Sequence, residues 1–195
     1  MSQSSTNLLC KTIQHILNKG VDIRILEIGT ASGNTTSKIL SLIQDKGKLY
    51  CCDPFIEYSD KKGRDNEAAY LRFQNNVKNI SNKQNFYFKR VKSENFLKSL
   101  VDMGLEKYFD LIYIDGDHST EAVLVDFKYS NILIKDGGKI IFDDYNWIAR
   151  HLRHIPNIKP PVKIAVEKIL IENNKKYDIL SASNDSFTIQ KKKEA

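Results

Sequence analysis

The chain has 195 residues, 41% of them hydrophobic and 28% charged, and its 30 basic and 24 acidic side chains give a formal net charge of +6. This composition excludes fibrous and disordered proteins, and no apolar run approaches the ~20 residues that a membrane-spanning helix needs. Because the 3 cysteines make an odd number and the start of the chain lacks a signal-peptide pattern, we expect a cytoplasmic protein with a single domain at residues 1–190 and a basic tail at 191–195.

Helical and strand patterns alternate along the first part of the chain. Apolar residues at helical spacing predict a helix within residues 1–20, and buried strands are predicted at 24–28 and 48–52. Asn34 is predicted to cap the helix between these strands. After the second strand, residues 54–65 form a largely polar stretch without apolar periodicity, which we interpret as a candidate lid.

The same alternation continues to the end of the chain, with Ser119 and Pro161 placed to begin helices. Helices are predicted at 70–80, 96–101, 119–133 and 161–170, and strands at 86–88, 109–114, 139–142, 177–180 and 187–190. Apolar strands between helices predict an α/β fold: a doubly wound, mostly parallel, seven-stranded sheet with helices on both faces. Gly137-Gly138 is predicted to turn the chain into its fifth strand, and the turn-prone residues 183–185 make the last strand antiparallel.

Ligands of such a sheet bind at the carboxyl ends of its strands, and the first strand runs into the glycine-containing stretch 27–33. Glycine lets a ligand lie against the main chain there. Ala31 stands where the dinucleotide fingerprint has its second glycine, and Gly33 is followed by Asn34 where a P-loop has lysine. Asp53, at the end of the second strand, is placed to accept hydrogen bonds from two ribose hydroxyls. These residues favour a site for a nucleoside without a pyrophosphate.

A group of acidic residues follows two neighbouring strands. Asp115 and His118 come directly after the fourth strand, and Asp143 and Asp144 end the fifth. Carboxylates at close range repel one another unless they are protonated or compensated by a cation. Oxygen ligands of this kind suit Mg²⁺ or a similar divalent cation, and His118 is the natural general base.

Structural explanations exist for some of the same residues. Asp117 and Ser119 can both cap the following helix, and a lone histidine is more often structural than catalytic. Adjacent strand residues point to opposite faces, so Asp143 and Asp144 share an ion only if the strand ends between them.

The stretch Glu27-Ile28-Gly29-x-x-x-Gly33, followed by Asp53, resembles the cofactor motifs of class I S-adenosylmethionine-dependent methyltransferases. The closing hairpin resembles the reversed seventh strand of their Rossmann-like fold. The resemblance implies that the loop Gly29–Gly33, with Thr30 and Ala31, holds the methionine part of S-adenosylmethionine, that Glu27 braces the loop and that Asp53 binds the ribose. It also implies that Ser93 and Glu94 lie near the adenine, although Ser93 can equally be a helix cap.

The stretch Ile114–Ser119, together with Gly137-Gly138 and Asp143-Asp144-Tyr145, is similar to a metal-dependent O-methyltransferase subfamily that modifies hydroxyls, including sugar and macrolide hydroxyls. The resemblance implies that Asp115, Asp143 and Asp144 hold Mg²⁺, that Asp115 also lies at the cofactor and that His118 is the base. Two positions depart from the family pattern. Thr120 replaces an aromatic residue, which bears on the acceptor wall, and Asp136 replaces a proline in the turn.

The segment 145–160 follows the acidic residues and is the candidate acceptor-facing segment. Residues 144–163 carry 4 basic side chains and 1 acidic side chain. Trp147 could stack on a sugar or an aromatic ring, Arg150 could bind a phosphate or carboxylate, and Tyr145 adjoins the acidic residues. A solvated amphipathic helix anchored by Trp147 explains the pattern equally well.

We therefore expect an O-methyltransferase that acts on a hydroxyl of a small molecule, either an anionic compound or a sugar. An RNA 2′-O-methyltransferase and a non-catalytic S-adenosylmethionine-binding module are the alternatives. Nucleic acid is therefore a possible partner, and we expect no binding to a membrane. A nicotinamide oxidoreductase is disfavoured by Ala31 and by the closing hairpin. A homodimer is a candidate assembly.

Overall fold

The computed structural model describes residues 3–56, 66–78 and 85–193, with the side chains of residues 3 and 4 left out. Most of the predicted lid, residues 57–65, therefore lies outside the described residues. The same holds for Ile80, at the end of a predicted helix, and for the last two residues of the basic tail.

Seven strands and six α-helices alternate along the described chain. The strands are β1 Ile23–Ile28, β2 Gly47–Cys52, β3 Phe86–Lys89, β4 Phe109–Ile114, β5 Ile134–Asp143, β6 Tyr177–Ala182 and β7 Ser186–Lys191. The helices are α1 Gln3–Leu17, α2 Asn34–Ile43, α3 Glu67–Val77, α4 Ser93–Asp102, α5 Thr120–Leu133 and α6 Pro161–Glu172, with a short 3₁₀ helix at Arg150–Leu152. Within the described part of the chain, no helix has the length and apolar character needed to cross a membrane.

The strands form one sheet in the order β3-β2-β1-β4-β5-β7-β6. The five strands from β3 to β5 are parallel, and β7 is antiparallel to both of its neighbours. The predicted doubly wound sheet with a reversed last strand is therefore confirmed. The strand order reverses between β1 and β4, which opens a crevice at their carboxyl ends, where such sheets bind ligands.

Alternate strand residues bury against helices on the two faces of the sheet. Leu26 and Ile28 belong to the cluster that packs on α4, α5 and α6, whereas Ile23 and Ile25 belong to the cluster that packs on α1 and α2. Both faces of the central strands are therefore covered, and the carboxyl edge of these strands is where such sheets bind ligands.

Three predictions concern where helices begin. Ser119 accepts a hydrogen bond from the Ala122 amide (3.3 Å) at the start of α5, and Pro161 is the first residue of α6, so both predictions are confirmed. The predicted cap at Asn34 is wrong, because Gly33 holds the cap position with φ 79° and Asn34 is already the first residue of α2.

The start of β5 also differs from the prediction. Gly137-Gly138 does not turn the chain into a strand beginning at 139, because β5 already begins at Ile134, which pairs with Phe109. The register with β4 shifts after that pair, and Gly137 adopts φ 79°. The two glycines therefore form an irregularity inside a longer strand, which apolar patterning alone does not reveal.

Candidate active site

A cavity of about 440 Å³ opens at the carboxyl ends of β1, β2 and β4. Its wall contains three residues that were predicted to bind the cofactor, namely Gly29, Ser93 and Glu94. The remaining wall comes from the strand ends, the residues after β2, the start of α4 and the first half of α5: Ile28, Cys52, Pro54, Ile56, Lys92, Gly116, Asp117, Ser119, Glu121, Ala122 and Val125. Its mixed apolar and polar lining suits a small organic ligand.

The loop after β1 is held by Asp53. One oxygen of its carboxylate accepts hydrogen bonds from the amides of Thr30 (3.0 Å) and Ala31 (2.9 Å), and the other accepts one from the amide of Phe55 (2.7 Å). Ala31 adopts φ 43°, an unusual conformation for a residue with a Cβ. Since each carboxylate oxygen has two lone pairs, Asp53 retains acceptor capacity for a ribose hydroxyl. Its role in ribose binding stays a prediction.

Gly29 sits where the ends of β1 and β4 approach each other most closely. A Cβ at this position would lie 2.2 Å from the Asp115 carbonyl oxygen, and Gly29 has φ 86°. Both the contact and the backbone conformation exclude a side chain. Gly29 therefore allows the cofactor loop and the acidic residues after β4 to share one edge.

Replacing Gly29 with alanine is expected to destabilise the fold more than the same change at Gly104. Gly104 also has a positive φ, 74°, but nothing lies within 4 Å of its Cβ position, so Gly104→Ala measures the cost of the backbone conformation alone. The clash should add about 1–3 kcal/mol to the loss in free energy of unfolding, measured by urea denaturation. Equal losses in the two variants would show that the β1 and β4 ends are not in this close contact.

Glu27 lies beneath the same loop and is fully buried. Its Oε2 accepts a hydrogen bond from the Thr36 hydroxyl (2.7 Å), whereas Oε1 has no partner among the described residues. Burial raises the pKa of Glu27 to about 8; the Thr36 hydrogen bond opposes this rise, and the Asp53 charge adds to it. Glu27 thus connects β1 to α2, the helix that follows the loop, and its role in bracing the loop itself stays a prediction.

Asp115, His118 and Asp144 form a cluster at the ends of β4 and β5. One potential ligand atom from each lies within 4.8 Å of the others. His118 Nε2 lies 3.1 Å from Asp144 Oδ2, so the imidazole is part of the cluster and not only a neighbour of it. Two carboxylates and an imidazole are a donor set that can hold a divalent cation.

Asp143 lies outside that cluster of described ligand atoms. β5 ends at Asp143, and Asp144, the next residue, adopts φ 52°, outside the strand conformation. Asp143 is 1% exposed and accepts a hydrogen bond from the Tyr113 hydroxyl (2.6 Å), while its Oδ1 has no partner among the described residues. The strand does end between the two acids, as sharing an ion requires, and the role of Asp143 as a ligand stays a prediction.

The clustered acids favour either a proton or a cation. Burial raises the pKa of Asp115 well above its ordinary value, and the charges of Asp143, Asp144 and Glu27 raise it further. Burial also raises the pKa of Asp144, with His118 opposing the rise and Asp143 adding to it. A bound cation would relieve the repulsion between these carboxylates.

The segment after β5 places two aromatic residues beside the cluster. The Trp147 ring lies 5.4 Å from the His118 ring and is 39% exposed, and its amide donates to the Asp144 carbonyl (2.8 Å). Tyr145 packs on Phe187 of β7 with ring centroids 4.9 Å apart. Arg150 is exposed at the start of the 3₁₀ helix. The segment is irregular, so the alternative of a solvated amphipathic helix here is wrong.

Residues 26–145, more than half of the chain, match a family described as a methyltransferase domain. The chain belongs to this family. Membership confirms the methyltransferase resemblance that rests on the loop after β1 and on Asp53, since the matched range contains both.

Two relatives share sequence with this methyltransferase domain. An uncharacterized protein of Acanthamoeba polyphaga mimivirus is 28% identical over 149 residues, which is 76% of this chain and 61% of that protein. A highly reducing polyketide synthase of Alternaria alternata is 28% identical over 142 residues, which is 72% of this chain but only 5% of the synthase. The chain therefore spans less than two thirds of the length of either relative.

Solved structures share the fold of the methyltransferase domain. An O-methyltransferase from Bacillus cereus in complex with SAH superposes with a TM-score of 0.67 at 17% identity, covering 99% of this chain and 82% of that one. SAH-bound PaMTH1, a methyltransferase from Podospora anserina, gives a TM-score of 0.67 at 19% identity, with 99% and 80% covered. An O-methyltransferase from Streptomyces achromogenes involved in tomaymycin synthesis, in complex with SAM, gives 0.67 at 14%, with 95% and 80% covered.

Sequence reasoning missed part of the cavity wall and one buried acid. Ala122 and Val125 line the cavity from α5, and Asp126, next to them, is 1% exposed. A signal for Asp126 was present, because it interrupts an apolar helical stripe that includes Val123 and Phe127. An acid in the middle of a buried stripe is rarely solvated, and it needs a partner or a proton.

Proposed function

We propose that the chain is an S-adenosylmethionine-dependent O-methyltransferase that acts on a small-molecule hydroxyl with a divalent cation and a histidine base. The observation that carries the proposal is that the acid–histidine cluster and the 440 Å³ cavity are joined through one segment. Gly116, Asp117 and Ser119 line the cavity, while Asp115 and His118 of the same segment belong to the cluster. A cofactor in the cavity would thus end beside groups that can activate an acceptor. A module that only senses the cofactor needs no such cluster.

S-adenosylmethionine, when bound, supplies the methyl group from its sulfonium, so the S–C bond breaks as the acceptor oxygen forms its bond to carbon. The chain supplies positioning: Asp53 holds the loop after β1, and the base must lie within reach of the acceptor hydroxyl. His118 takes the hydroxyl proton at Nδ1, because its Nε2 faces Asp144. The Asp144 carboxylate then stabilises the imidazolium. The products are a methyl ether and S-adenosylhomocysteine.

Mg²⁺, held by Asp115 and Asp144, would supply a Lewis acid that lowers the pKa of the acceptor hydroxyl. The support for this part is the raised pKa of both carboxyls, caused first by burial and then by neighbouring charges. Asp143, which accepts a hydrogen bond from the Tyr113 hydroxyl, is the third carboxylate that the family resemblance implies.

Calorimetry with S-adenosylhomocysteine and NADH distinguishes this function from an oxidoreductase. We expect the wild-type protein to bind S-adenosylhomocysteine and not NADH, because the loop after β1 lacks the second glycine of the dinucleotide fingerprint at Ala31. Binding of NADH alone would overturn the proposal.

The acceptor is proposed to carry a negative charge. Arg150 is exposed three residues after Trp147, and residues 144–163 carry 4 basic side chains and 1 acidic side chain. Among the described residues no carboxylate forms an ion pair with Arg150, whereas Lys159 pairs with Glu167 at 3.6 Å. An exposed guanidinium of this kind binds phosphate or carboxylate groups in a bidentate manner.

Arg150→Ala is therefore expected to raise KM for a phosphorylated or carboxylated acceptor by about tenfold, the equivalent of one charge-assisted hydrogen bond. KM for the matching neutral alcohol should not change. Arg72→Ala, an exposed arginine on α3, is the control. If Arg150→Ala affects both acceptors equally, the charge preference is wrong, and short RNAs in the same assay test the RNA alternative.

A further inference from the structure

A buried acid behind the cavity wall has no place in the mechanism above. Asp126, on α5, is 1% exposed, and neither of its carboxylate oxygens has a hydrogen-bond partner among the described residues. An unpaired carboxylate in such a position costs several kcal/mol as an ion. A residue of this kind is expected either to take part in function or to be neutral.

The surroundings of Asp126 are residues of the cavity wall. A Cβ at Gly116 would lie 3.9 Å from Asp126 Oδ2. The Ser93 hydroxyl, at the start of α4, lies near enough to favour the ionised carboxylate. Asp126 also contributes, after burial, to the raised pKa of the Cys52 thiol. Gly116, Ser93 and Cys52 all line the cavity, whereas Asp126 does not. Asp126 therefore lies behind this part of the cavity wall.

Burial, together with the neighbouring acids, favours the neutral form of Asp126. Burial raises the pKa of Asp126 to about 7; the Ser93 hydroxyl opposes the rise, and Asp117 and Glu94 add to it. A neutral carboxylic acid can both donate and accept a hydrogen bond, as an asparagine amide can. Ser93 is the neighbouring hydroxyl on the cavity side whose effect on Asp126 shows that the two side chains are close, although they form no hydrogen bond in the structure.

We propose that Asp126 is a positioning residue for the adenine end of the cofactor. Acting through Ser93, it holds the start of α4 and the Gly116 backbone at the spacing that the adenine ring needs. The inference rests on the proposed function, because Ser93 and Glu94 are the residues expected beside the adenine. Asp126 itself does not touch the ligand, since both oxygens are buried behind the wall. Lys92 holds the N-cap position of α4 and its side chain makes no capping bond, so Ser93 is the first residue of the helix and the alternative of Ser93 as the cap is wrong.

The test is calorimetry with two probes, S-adenosylhomocysteine and adenosine, on wild-type protein and variants. Asp126→Ala should weaken both probes by about tenfold, the equivalent of one hydrogen bond of ordinary strength that Asp126 and Ser93 would form when the ligand is bound. Asp126→Asn should restore wild-type affinity, because the amide replaces the neutral acid. Ser93→Ala should weaken binding as much as Asp126→Ala, and the double variant should be no weaker than either single variant.

Ser130→Ala is the matched control. Ser130 is also fully buried on the inner side of α5, one turn further along, and its hydroxyl has no partner among the described residues, but it does not line the cavity. It should change the melting temperature at most and leave both affinities unchanged.

Each outcome decides between the inference and the function on which it rests. Unchanged affinity in Asp126→Ala, or additive losses in the double variant, would overturn the positioning role while leaving the proposed function intact. If Asp126→Ala does not fold, Asp126→Asn and Ser93→Ala decide, and wild-type affinity in Ser93→Ala overturns the inference. Failure of the wild-type protein to bind S-adenosylhomocysteine would overturn both.

Discussion

Replacing His118 with alanine is expected to lower kcat for methyl transfer on the order of 10²- to 10⁴-fold, the usual contribution of a positioned base. The affinity for S-adenosylhomocysteine should not change, because His118 is not part of the cavity wall. The physical reason is the position of the imidazole. Its Nε2 lies 3.1 Å from Asp144, and its ring lies beside that of Trp147, so the contacts hold His118 in the cluster where the proposed mechanism needs its base.

The same variant separates a base from a metal ligand. If His118 acts as a base, the Mg²⁺ affinity of His118→Ala stays at the wild-type value while kcat falls. If the imidazole is a ligand, as its place in the cluster with Asp115 and Asp144 allows, the Mg²⁺ affinity falls as well. His15→Ala, an exposed histidine on α1, is the control for general effects of losing an imidazole. Turnover that survives in His118→Ala would refute the assignment as base.

Asp144→Asn is expected to have the second largest effect, because Asp144 contacts His118 and belongs to the proposed cation site. The variant keeps the shape of the side chain but loses its charge. Mg²⁺ affinity should fall by at least the roughly 10- to 100-fold that loss of a supporting residue costs a metal site, and kcat should fall with it.

Equilibrium dialysis with Mg²⁺ measures this loss independently of turnover. Asp45→Asn, an exposed acid after α2, is the matched control and should bind Mg²⁺ as the wild type does. Treating the wild-type enzyme with a chelator should stop methyl transfer, and adding Mg²⁺ should restore it. Full activity after chelation would leave the acids with an orienting role and no cation.

Most of the fold could be predicted because apolar patterning determines it. The strands β1, β2 and β4 are almost fully buried, so their sequences are short apolar runs that end at Gly29, Asp53 and Asp115. The start of β5 could not be predicted in the same way. It depends on pairing between Ile134 and Phe109 and on a register shift, and both are tertiary features.

The site was predictable as a set of residues but not as a geometry. That Asp115, His118 and Asp144 meet follows from the order of β4 and β5 in the sheet. The strand ends at Asp143 because Asp144 adopts a positive φ angle, and Asp143 instead accepts a hydrogen bond from Tyr113; no local pattern encodes either feature. The ring contact between Trp147 and His118 was not predictable either, and stacking of Trp147 on the acceptor stays a prediction. The homodimer and the cytoplasmic location stay predictions.

The surroundings of Asp126 could not be predicted from the residue pattern of α5. Ser119 and Asp117 explain the start of α5 as a capped helix: Ser119 accepts from Ala122, and Asp117 accepts a hydrogen bond from the Ser119 amide (2.8 Å). In the rest of the helix Asp126 interrupts the apolar stripe, but this signal does not say which part of the structure the acid lies against. Only the packing of α5 against Ser93 and Gly116 shows that one of its acids lies behind the cavity.

The most direct test of the central claim is a methyl-transfer assay with S-adenosylmethionine carrying a labelled methyl group. Wild-type protein with Mg²⁺ is incubated with sugars, catechols, their phosphorylated or carboxylated analogues and short RNAs, and the products are analysed by mass spectrometry. We expect a labelled methyl ether on a small-molecule hydroxyl, in a quantity equal to the S-adenosylhomocysteine formed. With His118→Ala we expect the same product to form about 10²- to 10⁴-fold more slowly. Label on nitrogen or carbon, or equal labelling by His118→Ala, would contradict this claim.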